Sequence, residues 1–232
     1  MTSLCIDRRF NGPPDSGNGG YSCGLIAVAI GEPVKVRLVQ PVPLDQSIEI
    51  TRIADDRWDA HSNGVLIATA SAFDADAEAP PPSSWVEALG ASQHYVGFGQ
   101  HGFPDCFVCG PERVEGDGLR IFPGSVPGTN QLAAPWKPDE SLSDDQGHVK
   151  PEFIWAALDC PGYFATCSPN AALLGELAVH IDRLPRVDEP CVVTSWPIAV
   201  EGRKHRAGTA LFDSEGKRCA VGVATWIELR KG

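Results

Sequence analysis

The chain has 232 residues, 43% hydrophobic and 21% charged, which suits one large or two small globular domains and excludes wholesale disorder or a small disulfide scaffold. Its net charge of −11, from 30 acidic and 19 basic residues, argues against nucleic acid and anionic membrane surfaces as partners. No run reaches the roughly 18 apolar residues of a membrane span, and residues 1–10 lack the apolar core of a secretion signal, so the expected compartment is the cytoplasm.

In chain order, Gly19-Gly20 opens a nearly apolar run, continuing to Ile30, that reads as a helix buried on most sides. Val34-Lys35-Val36-Arg37-Leu38 alternates as a strand, Leu44-Asp45-Gln46 reads as a turn, and Ile50-Thr51 lies in the next strand. Residues 64–73 form a last strand rich in small residues. Ala79-Pro80-Pro81-Pro82-Ser83-Ser84 is a stiff connector, followed over residues 85–100 by a short helix and loop. A second apolar helix runs from Pro151, well placed in a first turn, to Asp159, and Pro161-Gly162 should disturb or end it. Leu177-Ala178-Val179-His180-Ile181, Val187-Asp188-Glu189 and Val193-Thr194 repeat the strand, turn and strand of the first half. At one offset of 143 residues Val36 meets Val179, Asp45 meets Asp188 and Thr51 meets Thr194. Residues 219–227 supply a second small-residue strand. Each half is therefore expected to be one buried helix wrapped by a curved antiparallel sheet.

Several residues invite chemistry. Asp159 in an otherwise apolar helix is costly without partners; the bland alternative is a structural carboxylate capping the Pro161-Gly162 turn. Cys23, Cys160, Cys191 and Cys219 lie in apolar stretches and read as small buried hydrophobes. Cys106 and Cys109 form a C-x-x-C, but structural zinc needs four ligands, no second pair exists, and His94 or His101 would have to complete the set at unusual spacing. They are read as packing near the junction of the halves, and no metal is expected. Arg203, Lys204 and Arg206 form the densest basic cluster, either an anion-binding group or a solvated hairpin end. No G-x-S-x-G elbow and no Walker or dinucleotide glycine loop occurs.

Cys106-Phe107-Val108-Cys109-Gly110-Pro111 followed by Gly118-Leu119-Arg120-Ile121-Phe122 resembles the opening of many hotdog-fold acyl-CoA thioesterases. Gly147, Val149, Leu158 and Asp159 keep the spacing of the segment that follows in that family, although Lys150-Pro151-Glu152 stands where it has His-Gly-Gly. Asn18-Gly19-Gly20-Tyr21 resembles the helix start of double-hotdog members. The resemblance covers nearly the whole chain. It implies an α+β double hotdog, two tandem units in one chain: residues 1–79, a linker over 80–105, and residues 106–232.

The resemblance further implies an acyl-CoA thioesterase with one composite site, because the first half keeps the glycines and the second keeps the carboxylate. Ala27 stands where the second half has Asp159, so the pseudo-symmetric second site is expected to be dead. Gly19, Gly20 and Tyr21 would offer helix-terminal N–H groups to a developing oxyanion, their alternative being a plain turn. Asp159 would act as base or nucleophile. Asn18 either caps its helix, the favoured reading, or touches the thioester oxygen. Phe153, Trp155, Tyr163 and Phe164 would line an acyl chain between the two helices, and Arg203, Lys204 and Arg206 would hold the phosphates of coenzyme A. Coenzyme A enters only as part of the substrate, with no other cofactor. The competing readings are a non-catalytic acyl-CoA or lipid-binding protein and an acyl-CoA hydratase or dehydratase. Further assembly into homo-oligomers is compatible with the resemblance.

Overall fold

The computed structural model describes residues 2–74 and 77–230. The first half contributes strand β1 (Thr2–Cys5), helix α1 (Gly19–Ile30), and strands β2 (Val34–Leu38), β3 (Ser47–Ala54), β4 (Arg57–Ser62) and β5 (Val65–Ala72). Helix α2 (Trp85–Ser92) follows the proline connector. The second half contributes β6 (Gly124–Ser125), β7 (Leu132–Trp136), helices α3 (Pro151–Ala157) and α4 (Cys160–Thr166), then β8 (Ala172–Ile181), β9 (Cys191–Glu201), β10 (Lys204–Phe212) and β11 (Arg218–Glu228).

Among the described residues eleven strands join one antiparallel sheet in the order β1-β3-β4-β5-β2-β8-β11-β10-β9-β7-β6. The two halves are mirrored about the β2–β8 seam, where Lys35 faces Ala178, Val36 faces Leu177 and Arg37 faces Glu176. Along β2 the side chains alternate: Val34 and Val36 are buried toward the helices, whereas Lys35 and Arg37 lie outside. Each half thus wraps a curved sheet around its helices, as expected from the sequence.

The two Asp turns matched by the 143-residue offset are alike in backbone detail. Asp45 and Asp188 both adopt the left-handed conformation, at φ 57° and 63°. Asp45 N–H donates to the Ile6 carbonyl and Asp188 N–H to the Pro138 carbonyl, both at 2.8 Å. Each carboxylate also meets a cation, Arg8 Nε at 3.2 Å shortly after β1 and Lys137 Nζ at 3.0 Å just after β7.

The helices differ. α1 runs unbroken for 12 residues and stops at Gly31, left-handed at φ 75°. The second helix breaks at Leu158-Asp159 and restarts as α4. Asp159 therefore sits at a break between two short helices, a correction to the single helix read from the sequence. The cause is Pro161: it has no N–H to give, and its ring would strike the carbonyl four residues back, that of Ala157. The freed carbonyl of Leu158 accepts from the Thr209 hydroxyl on β10 at 2.9 Å.

α1 and α3 pack backbone against backbone. A Cβ on Gly20 would stand 2.4 Å from Asp159 Cβ, and one on Gly24 would stand 2.8 Å from Glu152 Cα and Trp155 Cβ. The segment read as a linker is also well anchored. α2 starts with a Ser84–Glu87 capping box and packs Ala88 and Ala91 against Val126, Ala133 and Val192 of the second half.

Candidate functional site

Asn18 precedes α1 as its N-cap, with its Oδ1 accepting from Tyr21 N–H at 2.9 Å. Its Nδ2 is left free to reach across the junction, where it donates to Asp159 Oδ2 at 3.1 Å. The Gly20 N–H donates to the same oxygen at 2.8 Å. The helix break thus places a carboxylate on the amino end of α1, where unpaired amides and the helix dipole favour negative charge. The structure brings Asn18, Gly19, Gly20 and Asp159 together across the two halves.

The site is dry. Asp159 is 1% exposed, and its Oδ1 has no hydrogen-bond partner among the described residues. Burial lifts its carboxyl to about 7, against the pull of the Gly20 N–H and the Asn18 amide, which favour the charged form. Two of the expected oxyanion donors are already engaged, Gly20 N–H by Asp159 and Tyr21 N–H by Asn18. That corrects the roles assigned to Gly20 and Tyr21: a carboxylate and a cap are stronger acceptors at hand than an incoming carbonyl. Gly19 N–H has no partner among the described residues. Leu174 of β8 lies over Gly19, its Cδ2 2.8 Å from where a Cβ would stand.

The expected acyl lining divides. With α1 and α3 touching at Gly20 and Gly24, no channel runs between them. Phe153 joins Phe10, Tyr21 and Phe107, with ring centroids 5.5 Å from Tyr21 and 5.9 Å from Phe10. Trp155 is spent on the contact with Gly24. Tyr163 and Phe164 belong instead to a second aromatic group with Tyr95, Phe98, His101 and Phe122, on the α4 side.

The basic cluster also lies elsewhere. His205 points inward, its ring 3.2 Å from the Thr166 carbonyl and 3.1 Å from Glu228, so Lys204 and Arg206, one residue to either side, face outward. Arg203 and Lys204 line an outer groove of about 520 Å³ with Arg37, Glu201 and Ile227. Strand alternation turns Lys204 and Arg206 away from the helix side that His205 faces, and Arg203 sits in the turn before β10, so the structure does not bring these cations to Asp159.

Beside the Asn18–Asp159 contact lies a group of sulfurs the sequence did not join. Cys106, Cys109 and Cys160 place their Sγ atoms within 4.8 Å of one another, with Asn18 Nδ2 3.9 Å from Cys106 and 3.8 Å from Cys160. These residues have the chemistry to hold a metal ion. Leu174, Gly24 and Thr209 were also missed; of these only Gly24 carries a sequence signal, its four-residue spacing from Gly20 marking a close helix contact.

No family sequence model matches the chain, and no curated protein matches it in sequence. Among solved structures, a candidate thioesterase from Novosphingobium aromaticivorans superposes over 98% of this chain and 95% of its own, with TM-score 0.60 and 11% identity. The TesB protein of Mycobacterium avium subspecies paratuberculosis superposes over 92% of this chain and 88% of its own, with TM-score 0.59 and 11% identity. A further thioesterase superfamily protein aligns over 56% of this chain, which spans just under two thirds, 64%, of that protein's length, at TM-score 0.49 and 17% identity. The two long superpositions run through both halves and show the fold: the chain is a double hotdog. Among the described residues no helix is long and apolar enough to cross a membrane.

Proposed function

We propose that the chain is a thioesterase that hydrolyses an acyl-CoA to the free acid and coenzyme A at the junction of its two halves. The observation that carries this reading is the buried carboxylate of Asp159, held by the first half through Gly20 N–H and Asn18 while its Oδ1 stays unpartnered. In the reaction Asp159 Oδ1 takes a proton from water as the oxygen attacks the thioester carbon. The carbonyl oxygen becomes an oxyanion, received by the Gly19 N–H at the end of α1. The C–S bond then breaks, and the thiolate of coenzyme A leaves with the proton that Asp159 held. Leu174 covers Gly19, so a bound thioester displaces that side chain. The acyl chain is assigned to the α4 side, where Tyr163 and Phe164 are half-buried and Phe98 is exposed.

Release of free thiol from a panel of acyl-CoAs, wild type against Asp159→Asn, tests the reading; equal rates remove Asp159 from the mechanism. A second reading draws on the engagement of the Gly20 and Tyr21 amides: an acyl-CoA or lipid-binding protein without turnover, in which Asp159 only ties the halves together. Calorimetric binding of an acyl-CoA that is never cleaved would select it.

A further inference from the structure

The cysteines around Asp159 are distributed in a way packing alone does not require. Cys106 and Cys109 lie in one tight turn, closed by a 2.9 Å bond from Gly110 N–H to the Cys106 carbonyl. A Cβ on Gly110 would meet the Cys106 N and O and the Pro104 O at 2.5–2.6 Å, so only glycine completes this turn. Cys160 arrives from 51 residues away, at the first position after the Asp159 break, with its Sγ 3.8 Å from that of Cys106. His101, from the segment before the turn, brings its Nε2 to 3.3 Å from Cys109 Sγ.

We propose that Cys106, Cys109 and Cys160 form a closed structural site for one zinc ion, with His101, which stands against Cys109, drawn in as the fourth ligand. Three thiolates and an imidazole are a donor set suited to tetrahedral Zn²⁺, which takes no open position in structural sites. At a zinc–sulfur bond length of about 2.3 Å, tetrahedral ligand sulfurs stand about 3.8 Å apart, the separation already present between Cys106 and Cys160. All three cysteines are buried and His101 is half-buried, so bulk water is largely kept from the ion. Binding displaces one proton from each thiol that carries one. His101 Nδ1 now accepts from Phe103 N–H at 3.0 Å; on coordination through Nε2 the ring proton moves to Nδ1 and that bond is given up.

The ion would fasten three segments distant in sequence: the stretch after α2, the C-x-x-C turn and the start of α4. The Asn18 amide, near two of the sulfurs, extends the joint to the first half. Zinc here has no part in bond cleavage; it fixes the helix break from which Asp159 projects. The proposal stands whether or not the protein cleaves thioesters.

The test is metal content of the full chain, purified under reducing conditions without chelator, followed by replacement with Co²⁺. The expected result is one zinc per chain, and a Co²⁺ form with thiolate charge-transfer bands and intense visible bands of tetrahedral cobalt. Cys160→Ser should lose the bound equivalent, Cys219→Ser should keep it, and His101→Ala should alter the visible cobalt bands and weaken binding. Folded, reduced wild-type protein that neither carries zinc nor gives these cobalt bands overturns the proposal. So does a Cys106–Cys160 disulfide found by mass spectrometry in protein purified this way. An unchanged cobalt spectrum in His101→Ala overturns the assignment of the fourth ligand.

Discussion

The two halves answer the same folding problem with different helices, and the difference isolates one carboxylate. In the first half α1 is continuous and capped by Asn18, and Ala27 lies buried in its last turns. In the second, α3 starts at the uncapped Lys150 and breaks at Asp159. A continuous helix satisfies its own carbonyls and has no place for a buried acid. A broken one must borrow a hydroxyl, here from Thr209, and can turn a carboxylate toward the amino end of its neighbour. The proline at position 161 makes the two helical frames unequal.

The largest effect that would sharpen this contrast is on turnover. Asp159→Asn should lower thiol release from acyl-CoA by about 10²–10⁴-fold, the usual contribution of a positioned acid–base group, in a continuous thiol assay. Ala27→Asp, the reciprocal change, should restore no second activity and should cost about 2 kcal/mol or more by denaturant titration, since the new carboxyl has no partner there.

Next comes the helix contact. Gly20→Ala drives a Cβ into Asp159 and the Trp155 carbonyl and should cost about 1–3 kcal/mol, measured as a fall in the denaturation midpoint. The same substitution at Gly90 in α2, where nothing stands within 4 Å, should stabilise by about 0.5–1 kcal/mol. If both shift the midpoint alike, the backbone-to-backbone packing of α1 on α3 is not what holds the junction.

The caps come third. Asn18→Ala should cost about 1 kcal/mol for the lost cap, and more for the lost donor to Asp159, whereas Lys150→Ala at the matching position should stay within about 0.5 kcal/mol. Equal losses in thermal unfolding would mean that the two helix starts are equivalent after all. Smallest of all, Arg203→Glu with Lys204→Glu should leave KM for acyl-CoA within about twofold, because these cations face away from Asp159; a tenfold rise, worth about 1.4 kcal/mol, would return them to the substrate.

Much of this was legible in the sequence. The shared Asp45 and Asp188 marked the repeat, and their common left-handed backbone explains why that residue type stands at both turns: Asp tolerates this conformation better than most side chains. Asn18 before Gly19-Gly20 announced a capped helix start. The site was harder. Pro161 was legible as a helix breaker, but a proline acts on the carbonyl four residues before it, so the break falls ahead of Asp159 instead of after it. Cys160 looked like a buried hydrophobe, since nothing in the 50 intervening residues ties it to the C-x-x-C. The direction of Arg203, Lys204 and Arg206 depended on strand register, which a lone basic run does not fix.

One consequence of the fused sheet concerns how copies of the chain can meet. Linking β2 to β8 within one molecule puts β1, four residues long, and β6, two residues long, at the two ends of the sheet. Strands so short offer little template for another chain to extend the sheet. Among the described residues a longer opening is the stretch 196–201 of β9, which runs past its β7 partner and has no strand beside it on that side.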